Sequence, residues 1–144
     1  MPALAWIGLG VVSMTCVDQA SKAVLLRRLE PNRSVRIAKG ARLRHAVNTG
    51  WWAHGVRSPA WLLLLWGIAV TAGLLVLELG GAAGDGLART GVAVAIGGAT
   101  ANLVDRLARG RVVDFIEIGP WPVFNLADAG IVAGVGLIVI APFL

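Results

Sequence analysis

The sequence predicts an all-α membrane protein with four transmembrane helices and a small β-sheet between the first two helices. The chain has 144 residues, of which 57% are hydrophobic and only 15% are charged, whereas about 25% of residues are charged in a soluble globular domain. Six tryptophans and no tyrosine fit aromatic side chains at membrane–water interfaces. Four stretches approach the roughly 20 apolar residues that a spanning helix needs. We therefore expect one membrane-embedded domain over 1–144.

The predicted helices differ in how they begin and in what they contain. Ser58 and Pro59 form an N-cap and first-turn pair for the second helix. Glycine and alanine in the third favour close packing, and Pro120 and Pro122 precede the fourth. The first apolar run lacks a basic leader and a small-residue cleavage motif, so we interpret it as a retained segment. The predicted helices cover about 3–26, 59–78, 87–106 and 122–144.

The stretch 29–58 is basic and too polar to span a membrane. Within it, SVRIA and RLRHAV alternate apolar and polar residues on either side of Lys39-Gly40. This alternation is typical of a half-buried hairpin. The sequence therefore predicts a small sheet at the membrane surface.

Composition also limits the classes of function. The formal charge is +5, but the basic residues are diluted among apolar runs and form no separate nucleic-acid-binding region. One cysteine, Cys16, excludes an internal disulfide and a cysteine metal cluster, and it is expected to pack or to face lipid. His45 and His54 are predicted to be surface residues. The sequence thus suggests neither a metal nor a cofactor.

Several polar side chains interrupt the apolar segments at helical spacing. Asp18 and Lys22 are four residues apart and can pair on one face; such a pair either stabilises the first helix or contacts substrate. Asn102, Asp105 and Arg106 also share a helix face, where Asp105 and Arg106 are expected to clamp neighbouring helices together. Polar groups inside membrane segments are functional candidates by default.

Two further aspartates, Asp114 and Asp128, lie fourteen positions apart in GRVVDFIEIGPWPVFNLAD. Asp114 is predicted on an extended piece or loop, whereas Asp128 follows Asn125 at the start of the last helix. Either acid can cap a helix end. If they meet, the two carboxylates share a proton, so that one acts as a base on water and the other polarises a carbonyl. Aspartic peptidases use this arrangement, which needs no cofactor.

Five motifs together resemble the signal peptidase II family, and they follow the family's order along nearly the whole chain. They are DQASK (18–22), VNTG (47–50), GGATANLVDR (97–106), GRVVDFI (110–116) and FNLAD (124–128). The resemblance implies a four-helix aspartyl endopeptidase of the bacterial inner membrane with an extracytoplasmic β-cradle. Its substrates would be diacylglyceryl-modified prolipoproteins, cut just before the lipid-modified cysteine.

The resemblance also implies roles for particular residues. Asp114 and Asp128 match the catalytic dyad, while seven other polar residues match positions that shape the site or hold substrate. These seven are Asp18, Lys22, Asn48, Asn102, Asp105, Arg106 and Asn125. The protein is further expected to contact membrane lipid, to bind a globomycin-type inhibitor and to be a monomer. No nucleic acid partner is expected.

The chain departs from the family pattern at two points. Trp51-Trp52 follows the turn motif where smaller residues are usual, and Ala101 replaces a glycine. These changes bear on substrate range and inhibitor response.

Eight Lys and Arg in 27–58 would place that region in the cytoplasm by the positive-inside rule, whereas the family places it outside and both termini inside. We follow the motifs and expect the basic surface to meet anionic lipid headgroups.

Two other functions remain open from sequence. Charged groups in membrane helices also occur in proton-coupled transporters. A catalytically silent lipoprotein-binding relative is the second alternative: the two aspartates argue against it, whereas the two tryptophans leave it open. Cleavage of a lipidated peptide separates the peptidase from both.

Overall fold

The architecture is four helices and one small sheet, in a computed structural model that describes residues 3–31, 33–48, 59–79 and 86–144. The chain runs through α1, the hairpin β1–β2, α2, α3, β3 and α4, and ends in a short 3₁₀ helix. The helices are α1 (Ala3–Arg28), α2 (Pro59–Leu79), α3 (Gly86–Arg109) and α4 (Leu126–Ile140), and the 3₁₀ helix is Ala141–Phe143. The strands are β1 (Ser34–Ala38), β2 (Ala41–Asn48) and β3 (Val112–Ile118).

Within the described residues, three helical segments are long and apolar enough to cross a membrane. They are Ala3–Arg28, Gly86–Arg109 and Leu126–Phe143, the last including the 3₁₀ helix. The helix α2 has 21 residues, of which Trp66–Glu78 form a shorter apolar stretch. The four predicted helices are present, and the crossing of the membrane by α2 stays a prediction.

The helix α3 lies at the centre and packs against α1, α2 and α4. Glycine allows the close approach, since a Cβ atom added at Gly91 would lie 2.6 Å from the carbonyl oxygen of Gly134. Gly97 packs equally closely on Met14 of α1. Small residues are the usual solution for tight helix contacts in membranes, as the composition of the third segment predicts.

Gly98→Ala is expected to destabilise the protein, because the added methyl group would collide with the backbone carbonyl of Ala127 and lie 2.9 Å from Ile131 Cγ1. Overpacking of this kind lowers the free energy of unfolding by about 1–3 kcal/mol. The matched control is Gly136→Ala on α4, where the added carbon meets nothing within 4 Å. Thermal denaturation in detergent should show a lower Tm for Gly98→Ala alone, and equal Tm values for the two variants would contradict this packing.

The predicted hairpin is present, and a third strand joins it. β1 and β2 pair antiparallel, and the turn between them contains Gly40 at φ 82°, a backbone conformation that favours glycine. β3 pairs antiparallel with β2, giving the order β1-β2-β3. Asp114 therefore lies on a paired strand.

The chain turns back after β3 and returns along it. Gly119, at φ 52°, opens the turn and donates its N–H to Gly40 O at 2.9 Å. Phe124 then pairs with Ile116, which brings Asn125 beside β3. The fourth helix begins at Leu126 and not at 122, because Asn125 is its N-cap.

Candidate active site

The carboxylate of Asp114 is enclosed in the protein. The residue is only 3% exposed and lies in β3 opposite Ala46 of β2. Asn125 Nδ2 donates a hydrogen bond to Asp114 Oδ1 at 2.8 Å. A buried carboxylate needs such donors, and one donor to Asp114 is Asn125, the N-cap of α4.

Asp128 lies in the first turn of α4 and is half-buried. Its Oδ2 accepts from the Asn125 N–H at 3.2 Å, while its own N–H donates to Asn125 Oδ1 at 2.9 Å. These reciprocal bonds form a capping box. The helix-capping interpretation of Asp128 is therefore confirmed, and its Oδ1 contacts a second element.

Two amide side chains connect the two aspartates. Asn102 Nδ2 on α3 donates to Asp128 Oδ1 at 2.8 Å, and Asn125 Nδ2 donates to Asn102 Oδ1 at 3.1 Å as well as to Asp114. The amides thus form a continuous hydrogen-bonded path between a strand carboxylate and a helix carboxylate. Each aspartate is thus hydrogen-bonded to an asparagine side chain, and the two asparagines are hydrogen-bonded to each other.

A buried charge cluster lies next to these groups. Lys22 Nζ is 2.6 Å from Asp18 Oδ2 and 2.7 Å from Asp105 Oδ2, and all three side chains are fully buried. The predicted pairing of Asp18 with Lys22 is confirmed. The same lysine also joins α1 to α3, which the spacing along one helix does not predict.

The cluster also contacts backbone at the ends of two elements. Asp18 Oδ1 accepts from the Ala127 N–H of α4 at 2.9 Å, satisfying one of the donors that a helix N-terminus leaves free. Asp105 Oδ2 accepts from the Val113 N–H of β3 at 3.2 Å. Two side chains predicted from sequence therefore hold the first turn of α4 and the beginning of β3.

Arg106 is not the residue that clamps Asp105. It is exposed, whereas Asp105 pairs with Lys22 and with Arg109. The predicted helix ended at 106, but α3 continues to Arg109, and this extra turn places Arg109 one helical turn after Asp105. The spacing i,i+4 was the signal available in the sequence.

Gln19 is a second polar residue that the sequence reasoning did not single out. Its Nε2 donates to Asp105 Oδ1 at 2.8 Å, and its Oε1 accepts from Arg109 Nη1 at 2.9 Å. Its position beside Asp18 in DQASK was the only signal. Together Gln19 and Arg109 surround the oxygen of Asp105 that Lys22 does not contact.

The remaining predicted residues have mixed outcomes. Asn48 ends β2, where its backbone pairs with Val112. The prediction that His45 lies on the surface is wrong: it is 8% exposed, with Nδ1 3.0 Å from Leu29 O. Cys16 is exposed. His54 and the Trp51-Trp52 pair lie outside the described residues.

Comparison with known proteins places the fold among membrane enzymes. Two solved structures, each described as a bacterial membrane enzyme, superpose with TM-scores of 0.77 and 0.76 at 24% and 25% identity. The alignments cover 95% and 94% of this chain and 87% and 91% of those chains. The class is thus a helical membrane protein with the fold of these enzymes.

The family model for signal peptidase (SPase) II matches residues 11–144. The lipoprotein signal peptidase of Rhodococcus jostii is 38% identical, over 91% of this chain and 68% of its own length. That of Photorhabdus laumondii is 34% identical, over 98% of this chain and 89% of its own length. The chain belongs to the signal peptidase II family, a family of proteases, and the resemblance carried by its motifs is confirmed.

Proposed function

We propose that this protein is an aspartyl endopeptidase of the bacterial inner membrane that removes signal peptides from diacylglyceryl-modified prolipoproteins. The cut falls just before the lipid-modified cysteine. Membership of a family whose relatives are lipoprotein signal peptidases supports the substrate class. The observation that carries the mechanism is the amide path through Asn125 and Asn102 from Asp114 to Asp128.

The proposed chemistry uses the two carboxylates with one shared proton. The ionised carboxylate takes a proton from a water molecule, and the water oxygen attacks the scissile carbonyl carbon. The protonated carboxyl group donates to the carbonyl oxygen as charge develops there. When the tetrahedral intermediate collapses, the amine leaves with a proton from the dyad.

The two asparagines keep the carboxylates in place during these transfers. Asn125 uses both Nδ2 hydrogens, one on Asp114 and one on Asn102, so its orientation is fixed. Asn102 in turn orients Asp128. Fixed donors need no reorganisation as charge moves, which lowers the barrier.

We further propose that all four helices cross the membrane, with both termini in the cytoplasm and the sheet outside. The match of several motifs to the family over nearly the whole chain supports this orientation, although the basic residues oppose it. Arg36, Arg42 and Arg44 of the sheet are exposed and would meet anionic headgroups. We expect a reporter that works only in the cytoplasm to be active when it is fused after Leu144. Activity of a reporter that works only after export would overturn this orientation.

The proton-transporter alternative fits the arrangement of charges poorly. Asp18 and Lys22 of α1, Asp105 of α3 and Ala127 of α4 contact one another at one end of the helices. A relay requires polar groups across the membrane, but residues 3–17 and 129–144 contain no charged side chain. The charges therefore favour a site at one membrane face.

The test of the proposed function is cleavage of a synthetic lipobox peptide by the purified protein in detergent. We expect the diacylglyceryl peptide to be cut before its cysteine, the same peptide without lipid to remain intact, and globomycin to inhibit. Tight binding of the lipopeptide without cleavage would instead support the silent relative. Cleavage of lipidated and unlipidated peptides at equal rates would contradict the proposed substrate class.

A further inference from the structure

The buried cluster of Asp18, Lys22 and Asp105 is unbalanced in formal charge. Two carboxylates share one ammonium group, at 2.6 and 2.7 Å, with all three side chains fully buried. An unbalanced buried charge is unfavourable unless a further counterion or donors compensate it. A second cation should therefore contact the cluster.

Arg109 is that cation. Its Nη1 atom forms an ion pair with Asp105 Oδ1 and donates to Gln19 Oε1 at 2.9 Å. The side chain of Arg109 is 31% exposed, so it contacts the buried carboxylate from the protein surface. With Arg109 included, two acids face two bases, and both oxygens of Asp105 contact a cation.

The balanced cluster contacts the backbone immediately before each proposed catalytic residue. Asp105 accepts from the N–H of Val113, which precedes Asp114. Asp18 accepts from the N–H of Ala127, which precedes Asp128. Lys22 joins these two acids, so a continuous chain of polar contacts runs from the backbone of β3 at Val113 to the backbone of α4 at Ala127.

We propose that Arg109 is a positioning residue for the dyad, acting through Asp105 on the backbone of Val113 and Asp114. This inference rests on the proposed function, because it assigns Arg109 a role in that reaction. Without Arg109, Asp105 Oδ1 loses its cation and keeps only Gln19 as a donor, so the carboxylate that anchors Val113 is held less firmly. Asp114 then loses its fixed position relative to Asn125.

The kinetic test compares Arg109→Gln with Arg111→Gln, which removes an exposed positive charge two residues away. We expect kcat for lipopeptide cleavage to fall about 10- to 100-fold in Arg109→Gln, since small misplacements near reacting groups have effects of this size. KM should stay within about twofold, because Arg109 acts on placement of the dyad and not on substrate binding. Arg111→Gln should match the parent protein.

Arg109→Lys should recover part of kcat, because lysine restores the charge but not the fork of donors that also contacts Gln19. A readout independent of activity is amide hydrogen exchange at Val113, which should be faster in Arg109→Gln and unchanged in Arg111→Gln. Unchanged exchange at Val113 overturns the positioning role, as does a rise in KM with kcat preserved. A lower Tm with unchanged kcat would also overturn it.

The same experiment separates this inference from the proposed function. If the parent protein cleaves no lipopeptide, the proposed function fails. Faster exchange at Val113 in Arg109→Gln would then still show that Arg109 holds β3 through Asp105, while the role in cleavage would be overturned. Cleavage by the parent with no difference between Arg109→Gln and Arg111→Gln would leave the function intact and reject the role of Arg109.

Discussion

Replacing Asp114 or Asp128 by asparagine is expected to abolish cleavage of the diacylglyceryl peptide. Asparagine has nearly the same shape as aspartate, but it neither takes a proton from water nor supplies one to the carbonyl oxygen. Loss of a general acid or base lowers rates by about 10²- to 10⁴-fold, and in the proposed mechanism each aspartate would both accept and donate a proton. The measurement is kcat in detergent at saturating lipopeptide.

The two variants should differ in stability. Asp114→Asn keeps an oxygen that accepts from Asn125 Nδ2. In Asp128→Asn one of the two acceptor positions that meet Asn102 Nδ2 and the Asn125 N–H becomes a donor, so one hydrogen bond worth about 0.5–1.5 kcal/mol is lost. Equal loss of activity with unequal Tm would show that the loss is chemical.

The matched control is Glu117→Gln, which removes a carboxylate from the same strand three residues after Asp114. Glu117 is half-buried and lies opposite Arg42 on β2, away from the amide path. We expect its kcat to match that of the parent protein. Full activity of either aspartate variant would contradict the proposed catalytic dyad.

Local patterns in the sequence predicted the elements because each depends on neighbouring residues. Alternation in SVRIA and RLRHAV predicted β1 and β2, and apolar runs predicted the helices. The predicted start of the fourth helix was wrong because the apolar run already begins at Pro122. The side chain of Asn125 decides where the first turn of the helix begins. A cap is a single side-chain contact, and an apolar run does not indicate it.

Contacts between distant segments could not be predicted in the same way. His45 reaches the carbonyl of Leu29, sixteen residues earlier, so its burial depends on where α1 ends. Arg109 lies four residues after Asp105 on α3, a spacing that the sequence shows, but its second contact with Gln19 depends on where α1 lies. The third strand likewise depends on β2 lying beside residues 112–118.

Lys22→Met is expected to destabilise the protein strongly and to abolish cleavage. Methionine fills a similar volume but leaves Asp18 and Asp105 buried and facing each other without their shared cation. Removing one partner of a buried ion pair lowers the free energy of unfolding by about 3–5 kcal/mol. Because these acids also anchor Ala127 and Val113, the dyad should separate before the protein unfolds.

Arg27→Met is the matched control, since it removes an exposed cation from the last turn of α1. In detergent, Lys22→Met should lower Tm by roughly 10 °C or more, while Arg27→Met should leave Tm and kcat unchanged. A Lys22→Met protein with the Tm and kcat of the parent would contradict the role of the cluster.

A triple variant, Asp18→Asn with Lys22→Met and Asp105→Asn, separates charge from hydrogen bonding. Its amide oxygens can still accept from the Ala127 and Val113 N–H groups, and no unpaired carboxylate remains at positions 18 and 105. Neutral replacements of a buried ion cluster are often tolerated, so Tm should rise above that of Lys22→Met. Lys22 no longer links positions 18 and 105, so kcat should remain well below that of the parent. Recovery of kcat together with Tm would show that Lys22 contributes charge balance alone and that the backbone contacts at Val113 and Ala127 suffice to place the dyad.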